Sequence, residues 1–98
     1  AFPHFSSEKQ AEIQYWIGES YFGMENFEQA AIEFLKVSYM YSHDAQLSVT
    51  ADLRAGLAYE KLEQWNKAAG IYHKIVKKYG ASSQWGKEAQ QRLGQIEG

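Results

Sequence analysis

The residues in this 98-residue chain that could do chemistry are few and scattered. The three histidines, His4, His43 and His73, share no H-E-x-x-H or comparable spacing, so they supply no metal site. Glu8, Glu12 and Glu19 lie close enough on one helix to form a carboxylate cluster suited to acid–base work. No nucleophile or oxyanion donor accompanies them, and a solvated helix face accounts for them better. The eight glycines are dispersed and form no phosphate-cradling loop. There is no cysteine, which removes disulfides, cysteine–metal sites and thiol nucleophiles and leaves the compartment open. The chain is expected to be non-catalytic, with no cofactor and no metal.

Lys67, Lys74 and Lys78 share one helical face, with Lys77 beside them. Such a face could hold phosphates. The aromatics that would stack bases, Trp65 and Tyr72, are instead claimed by the core stripe, so nucleic acid is not the expected partner. The formal net charge of −2 agrees. That charge is divided, −5 over residues 1–48 and +3 over residues 49–98, which could orient a partner. No apolar run approaches the ~18–20 residues needed to span a bilayer, so direct membrane insertion is not expected.

The elements that carry these residues repeat. GESYFGMENFEQAAIEF at 18–34 returns as GLAYEKLEQWNKAAGIY at 56–72, a step of 38 residues. Gly18 matches Gly56, Tyr21 Tyr59, Phe27 Trp65, Ala30 Ala68, Phe34 Tyr72, and Val37 Ile75. One more step sets Ala51–Gly56 on Ala89–Gly94, the start of a third, shorter copy. Self-similarity at such a period marks a stacked array. Apolar residues in each copy fall at i, i+3, i+4, i+7, which predicts helices over about 7–23, 26–41, 45–62, 65–79 and 83–97. Ser7 with Gln10 and Asn26 with Gln29 have capping-box spacing. Asp44 and Ser83 are further N-caps, and Gly80 is a stop. Short loops make neighbouring helices antiparallel. Gly18 and Gly56, inside helices, predict a close backbone crossing at Ala30 and Ala68, with Tyr21, Phe34, Tyr59 and Tyr72 around it.

The pattern Gly18-Tyr21-Ala30-Phe34, repeated as Gly56-Tyr59-Ala68-Tyr72, resembles the tetratricopeptide repeat (TPR). The period is 38 rather than the family's 34, with the added residues placed near Ser42–Ser48 as a longer connection or an extra turn. Gln14 and Asp52 stand where the family has tryptophan, and the closing proline is absent. The longer period looks like the TPR subset of bacterial cell-envelope proteins; cytoplasm and periplasm or cell envelope both remain open. The resemblance implies an all-α fold, a right-handed α–α superhelix of antiparallel helix pairs. Residues 6–42 and 43–80 form two TPR-like repeats and 81–98 a C-terminal capping helix, together one domain. Residues 1–5 form the end of a preceding repeat or a linker. Ile13 and Trp16 then face a helix outside this segment, or a second copy in a homo-oligomer. The expectation is a piece of a larger protein, open at its N-terminal end and closed at its C-terminal end by a polar helix face.

The resemblance further implies a protein–protein interaction scaffold that binds a peptide or helix in its concave groove. Carried over by position, the groove residues are Glu12, Tyr15, Glu19 and Phe22, then Thr50, Leu53, Leu57 and Glu60, then Gln91 and Gln95. The core stripe does not require Tyr15, Phe22, Leu53 or Leu57, so the groove reads as apolar with an acidic rim. Family members that clamp a peptide carboxylate use Lys and Asn at these positions, so a basic or amphipathic segment is the expected partner. The alternative is a structural spacer or oligomerisation element in a longer array.

Overall fold

Among the described residues, four of the five helix starts are fixed by a side chain that accepts a hydrogen bond from the first turn. Ser6 accepts from Lys9 N–H at 3.2 Å, Asn26 from Gln29 at 3.4 Å, Asp44 from Leu47 at 3.1 Å and Ser83 from Gly86 at 2.9 Å. The computed structural model describes residues 6–97, and these caps open helices α1 (Ser7–Gly23), α2 (Phe27–Met40), α3 (Ala45–Lys61) and α5 (Gln84–Glu97). Helix α4 (Trp65–Tyr79) starts at Gln64 with no side-chain cap. Two sequence expectations need correction. The first cap is Ser6, not Ser7. At α2 only half of the capping box forms, because the Asn26 N–H donates to the Tyr21 carbonyl and the Gln29 amide turns to Glu33 Oε2 at 2.7 Å.

Both pairs α1–α2 and α3–α4 close through the same three-residue turn. Glu25 and Glu63 take left-handed φ values of 61° and 58°. The next residue donates back to a carbonyl five positions earlier: Asn26 to Tyr21 and Gln64 to Tyr59, each at 2.9 Å. This is the Schellman pattern, here without its usual glycine. Gly80, with φ of 87°, ends α4. The α2–α3 connection is only residues 41–44, and α3 has the same 17 residues as α1. The Ser42–Ser48 stretch therefore divides between that short connection and the first turn of α3.

Each helix packs on the next, and α1 also touches α3, giving an elongated slab of 54 × 29 × 15 Å. Among the described residues there are two cores. One joins Ala30, Phe34 and Val37 of α2 to Ala51 and Ala55 of α3. The other joins Val49 and Leu53 of α3 to Ala68, Tyr72 and Ile75 of α4 and Ala89 and Leu93 of α5. Helix α3 serves both, so it is buried on opposite sides.

The two helix-interior glycines have a reason different from the expected one. A Cβ at Gly18 would lie 2.7 Å from Phe34 Cδ1, and one at Gly56 would lie 2.6 Å from Tyr72 Cζ. What approaches is an aromatic ring lying on the helix, not a second backbone. Trp65 is also corrected: it begins α4 and is 47 % exposed, outside the core stripe. Among the described residues, no helix is long and apolar enough to cross a membrane.

The positions where the family carries tryptophan hold polar side chains inside the slab. Gln14 Nε2 donates to the backbone oxygen of Glu33 (3.0 Å) and to Glu33 Oε1 (2.7 Å), and Lys36 Nζ donates to Glu33 Oε2 at 3.1 Å. Burial raises the Glu33 pKa, but the hydrogen bonds from Gln14, Lys36 and Gln29 together bring it below the usual carboxylate range. Asp52 is less well served. It is 6 % exposed, and its Oδ1 has no hydrogen-bond partner. Burial pushes its carboxyl up, and Ser38, Lys74 and Lys78 only partly offset this. A raised acid pKa means the folded chain binds the extra proton, so Asp52 costs stability as pH rises. Asp52→Asn is expected to match wild type below about pH 4 and to become progressively more stable than it above that. Urea unfolding between pH 3.5 and 8 reads this directly; a variant weaker than wild type at neutral pH would show that the lysines dominate.

Candidate interaction surface

Helices α1, α3 and α5 are the first helices of successive pairs, and two open furrows run between them. One is lined by Glu12 of α1, Asp44, and Gln46, Leu47 and Thr50 of α3. The other is lined by Gln46, Thr50, Leu53, Arg54 and Leu57 of α3 and by Gln84, Trp85 and Glu88 of α5. Gln46 and Thr50 border both, which makes the two furrows one continuous track.

Of the groove residues expected from position, Glu12, Thr50, Leu53 and Leu57 line this track. Leu53 does so with only its edge, since it is 8 % exposed and belongs to the second core. Tyr15 and Phe22 pack against the first core; their rings lie 5.4 and 6.5 Å from that of Phe34. The reading that the core leaves Tyr15, Phe22 and Leu53 unused is therefore corrected: α3 is buried on two sides, and the α1 aromatics close the edge of the α2 cluster. Gln91 and Gln95 are exposed on α5 and border neither furrow.

The expected acidic rim is largely spent within the chain. Arg54 Nε holds Glu19 Oε1 at 2.6 Å, and its guanidinium lies over the Phe22 ring at 4.4 Å. One period later, Arg92 grips Glu60 with two bonds, Nη2 to Oε1 at 2.7 Å and Nε to Oε2 at 3.0 Å. Glu60 also accepts from the Tyr72 hydroxyl at 2.5 Å. The role of these arginines escaped the sequence reading. The signal was present, because Arg54 and Arg92 are one repeat step apart.

The remaining candidates separate. His43 stands beside Tyr41, and His73 meets Glu97 at 3.1 Å; His4 lies outside the described residues. Among the described residues, no three His, Asp or Glu side chains are grouped to hold a metal ion. Lys67, Lys74, Lys77 and Lys78 are exposed on α4, with Lys67 over Tyr59 and Lys78 over Tyr79.

Residues 50–82, running from α3 through α4 to the turn after it, match the family model of the tetratricopeptide repeat. That stretch is a TPR-type repeat, and the all-helical fold of the described residues supports a TPR-type domain around it. No curated protein and no solved structure matches it. TPR repeats are in general non-catalytic modules for protein–protein interaction, and the match supports the general class of interaction module for this chain. In TPR terms the matched stretch is the second copy, the one whose aromatic, Tyr72, lies on Gly56.

Proposed function

We propose that the track across α3 and α5 receives a peptide or helix of a partner protein. The observation that carries this reading is Leu57. It is a half-buried leucine that belongs to neither core and lines the furrow opposite α5. The first-repeat residues Tyr15 and Phe22 are absorbed by packing, so the receiving surface centres on Thr50, the edge of Leu53, and Leu57, flanked by Trp85. Glu12 and Glu88 stand along the track and favour a segment that is amphipathic with basic residues at its margins. Glu19 and Glu60 help shape the surface through Arg54 and Arg92 rather than offering charge to the partner.

Peptides selected from a displayed library on the wild-type chain test this. Leu57→Lys is expected to weaken the selected peptides by tenfold or more, consistent with ~1.4 kcal/mol or above, with an unchanged thermal melt. Amide shifts on peptide addition should centre on Thr50 and Leu57. Equal affinity for the variant would remove the track from consideration. The alternative function, a spacer or oligomerisation element, draws on a different surface, around Ile13 and Trp16, which are 44 % and 62 % exposed.

A further inference from the structure

The lysines of α4 and the outermost side chains of α2 share a surface that the track does not use. From Gln64 to Lys87 the chain holds five lysines and no acid. Three of them, Lys74, Lys77 and Lys78, are exposed toward the end of α4. One repeat step earlier the same positions are Lys36, Tyr39 and Met40 of α2. Tyr39 is 89 % exposed, and Met40 is exposed next to it. Ile32, also exposed, lies two turns before Tyr39 on the same side of the helix. Asp52 ties the two groups together in space, because it meets Ser38, the neighbour of Tyr39, and feels the charges of Lys74 and Lys78. The acids nearby are already engaged. Glu33 is held by Lys36 and Glu97 by His73, and among the described residues no acid reaches Lys74, Lys77 or Lys78 within salt-bridge distance.

We propose that this face, Ile32, Tyr39 and Met40 beside Lys74, Lys77 and Lys78, docks on the surface of a bilayer that carries anionic phospholipid. The charge fits: free ammonium groups meet headgroup phosphates, and each lysine held near an anionic surface strengthens the contact about fivefold. The shape fits as well. Tyr39 projects from the slab instead of lining a recess. A protein partner needs a matching hollow for such a side chain, whereas the boundary between headgroups and acyl chains takes it at any position. A phenol, with an apolar ring and a polar tip, suits that depth. Nucleic acid would use the lysines but stack on flat aromatics, and Tyr79, the other ring at this end of α4, is engaged with Trp85 and Lys78. The chain lies on the membrane and not through it, in keeping with the length and polarity of its described helices. None of the six residues lines either furrow, so Leu57→Lys leaves this face intact and the two proposals fail separately.

Co-sedimentation with vesicles tests it. Phosphatidylcholine vesicles containing phosphatidylserine should bind the chain at low salt at least tenfold more tightly than phosphatidylcholine alone, and raising the salt should release it. Lys77→Ala should weaken binding about fivefold, and the triple change of Lys74, Lys77 and Lys78 to Ala about a hundredfold. Lys77 is the clean single site, because Lys74 and Lys78 also offset Asp52 and Lys77 does not, so its variant should keep the wild-type thermal melt. The chain has no cysteine, so Tyr39→Cys can carry a single polarity-sensitive fluorophore. Its emission should move to shorter wavelength on the anionic vesicles, while a label at Gln91→Cys, exposed on α5, should not respond. Equal binding to both vesicle types, full binding by the triple variant, or a response at Gln91 without one at Tyr39 overturns the proposal. So does tighter binding of an acidic peptide or a single-stranded oligonucleotide than of the anionic vesicles at the same salt, since a protein or a nucleic acid would then own the face.

Discussion

Tyr72→Ala is expected to destabilise the chain by about 3–5 kcal/mol, a large share of the stability of so small a domain. Tyr72 is fully buried where α3, α4 and α5 meet, and its ring lies on Gly56. Its hydroxyl does separate work. Burial, the hydrogen bond to Glu60 and the charge of that carboxylate hold the phenol well above its usual pKa, so it stays a donor at any ordinary pH. Tyr72→Phe should therefore cost about 1.5–3 kcal/mol, the range for a hydrogen bond to a charged group. The first repeat shows how the positions are coupled. There the equivalents of Tyr72 and Glu60 are Phe34 and Phe22, and Arg54 lies over the Phe22 ring while taking its carboxylate from Glu19 instead. A tyrosine goes with an acid, and a phenylalanine with an aromatic. Glu60→Phe combined with Tyr72→Phe should thus cost less than the two single changes summed. Urea unfolding of the four proteins measures this, and strict additivity would show that the positions act independently. Hydrogen exchange should place the loss first in α4 and α5, because stability in a stacked array is held between neighbours.

Much of this arrangement can be read in the residues. The helices begin and end within a residue or so of where periodicity and caps put them, since Asn26, Asp44, Ser83 and Gly80 act locally. The pairing of glycine with an aromatic one helix later was also visible, although its cause, a ring rather than a backbone, needed coordinates. What escaped was tertiary. Leu53 looked free because a helix buried on two sides has no single apolar stripe to separate core from surface. Arg54 and Glu19 are 35 residues apart in sequence, and no local rule brings them to 2.6 Å. Trp65 matched Phe27 in type, yet at the first position of α4 its ring can turn outward. The interaction track depends on how α5 sits beside α3. The sequence therefore named Thr50 and Leu57 but not Trp85 or Glu88, which complete it.

Gly86→Ala should be destabilising by about 2–4 kcal/mol, against the ordinary preference of a helix for alanine, which favours it by ~1 kcal/mol. A Cβ there would lie 1.8 Å from the backbone oxygen of Gly80, an atom that cannot swing aside. That oxygen accepts the Ser83 hydroxyl at 2.8 Å, and Gly80 N–H donates to Val76 at 2.8 Å. Gly86 N–H in turn donates to Ser83 Oγ, the cap of α5. Making room for one methyl group therefore requires moving the α4–α5 turn and breaking the cap, worth ~1 kcal/mol by itself. Gly94, on the same helix, supplies the control, because a Cβ there meets nothing within 4 Å. Gly94→Ala should stabilise by about 0.5–1 kcal/mol through propensity alone. Opposite signs from one substitution on one helix separate steric contact from helix propensity. If both variants gain stability in thermal and urea unfolding, Gly86 is not held against the turn, and α5 is docked on α4 in some other way.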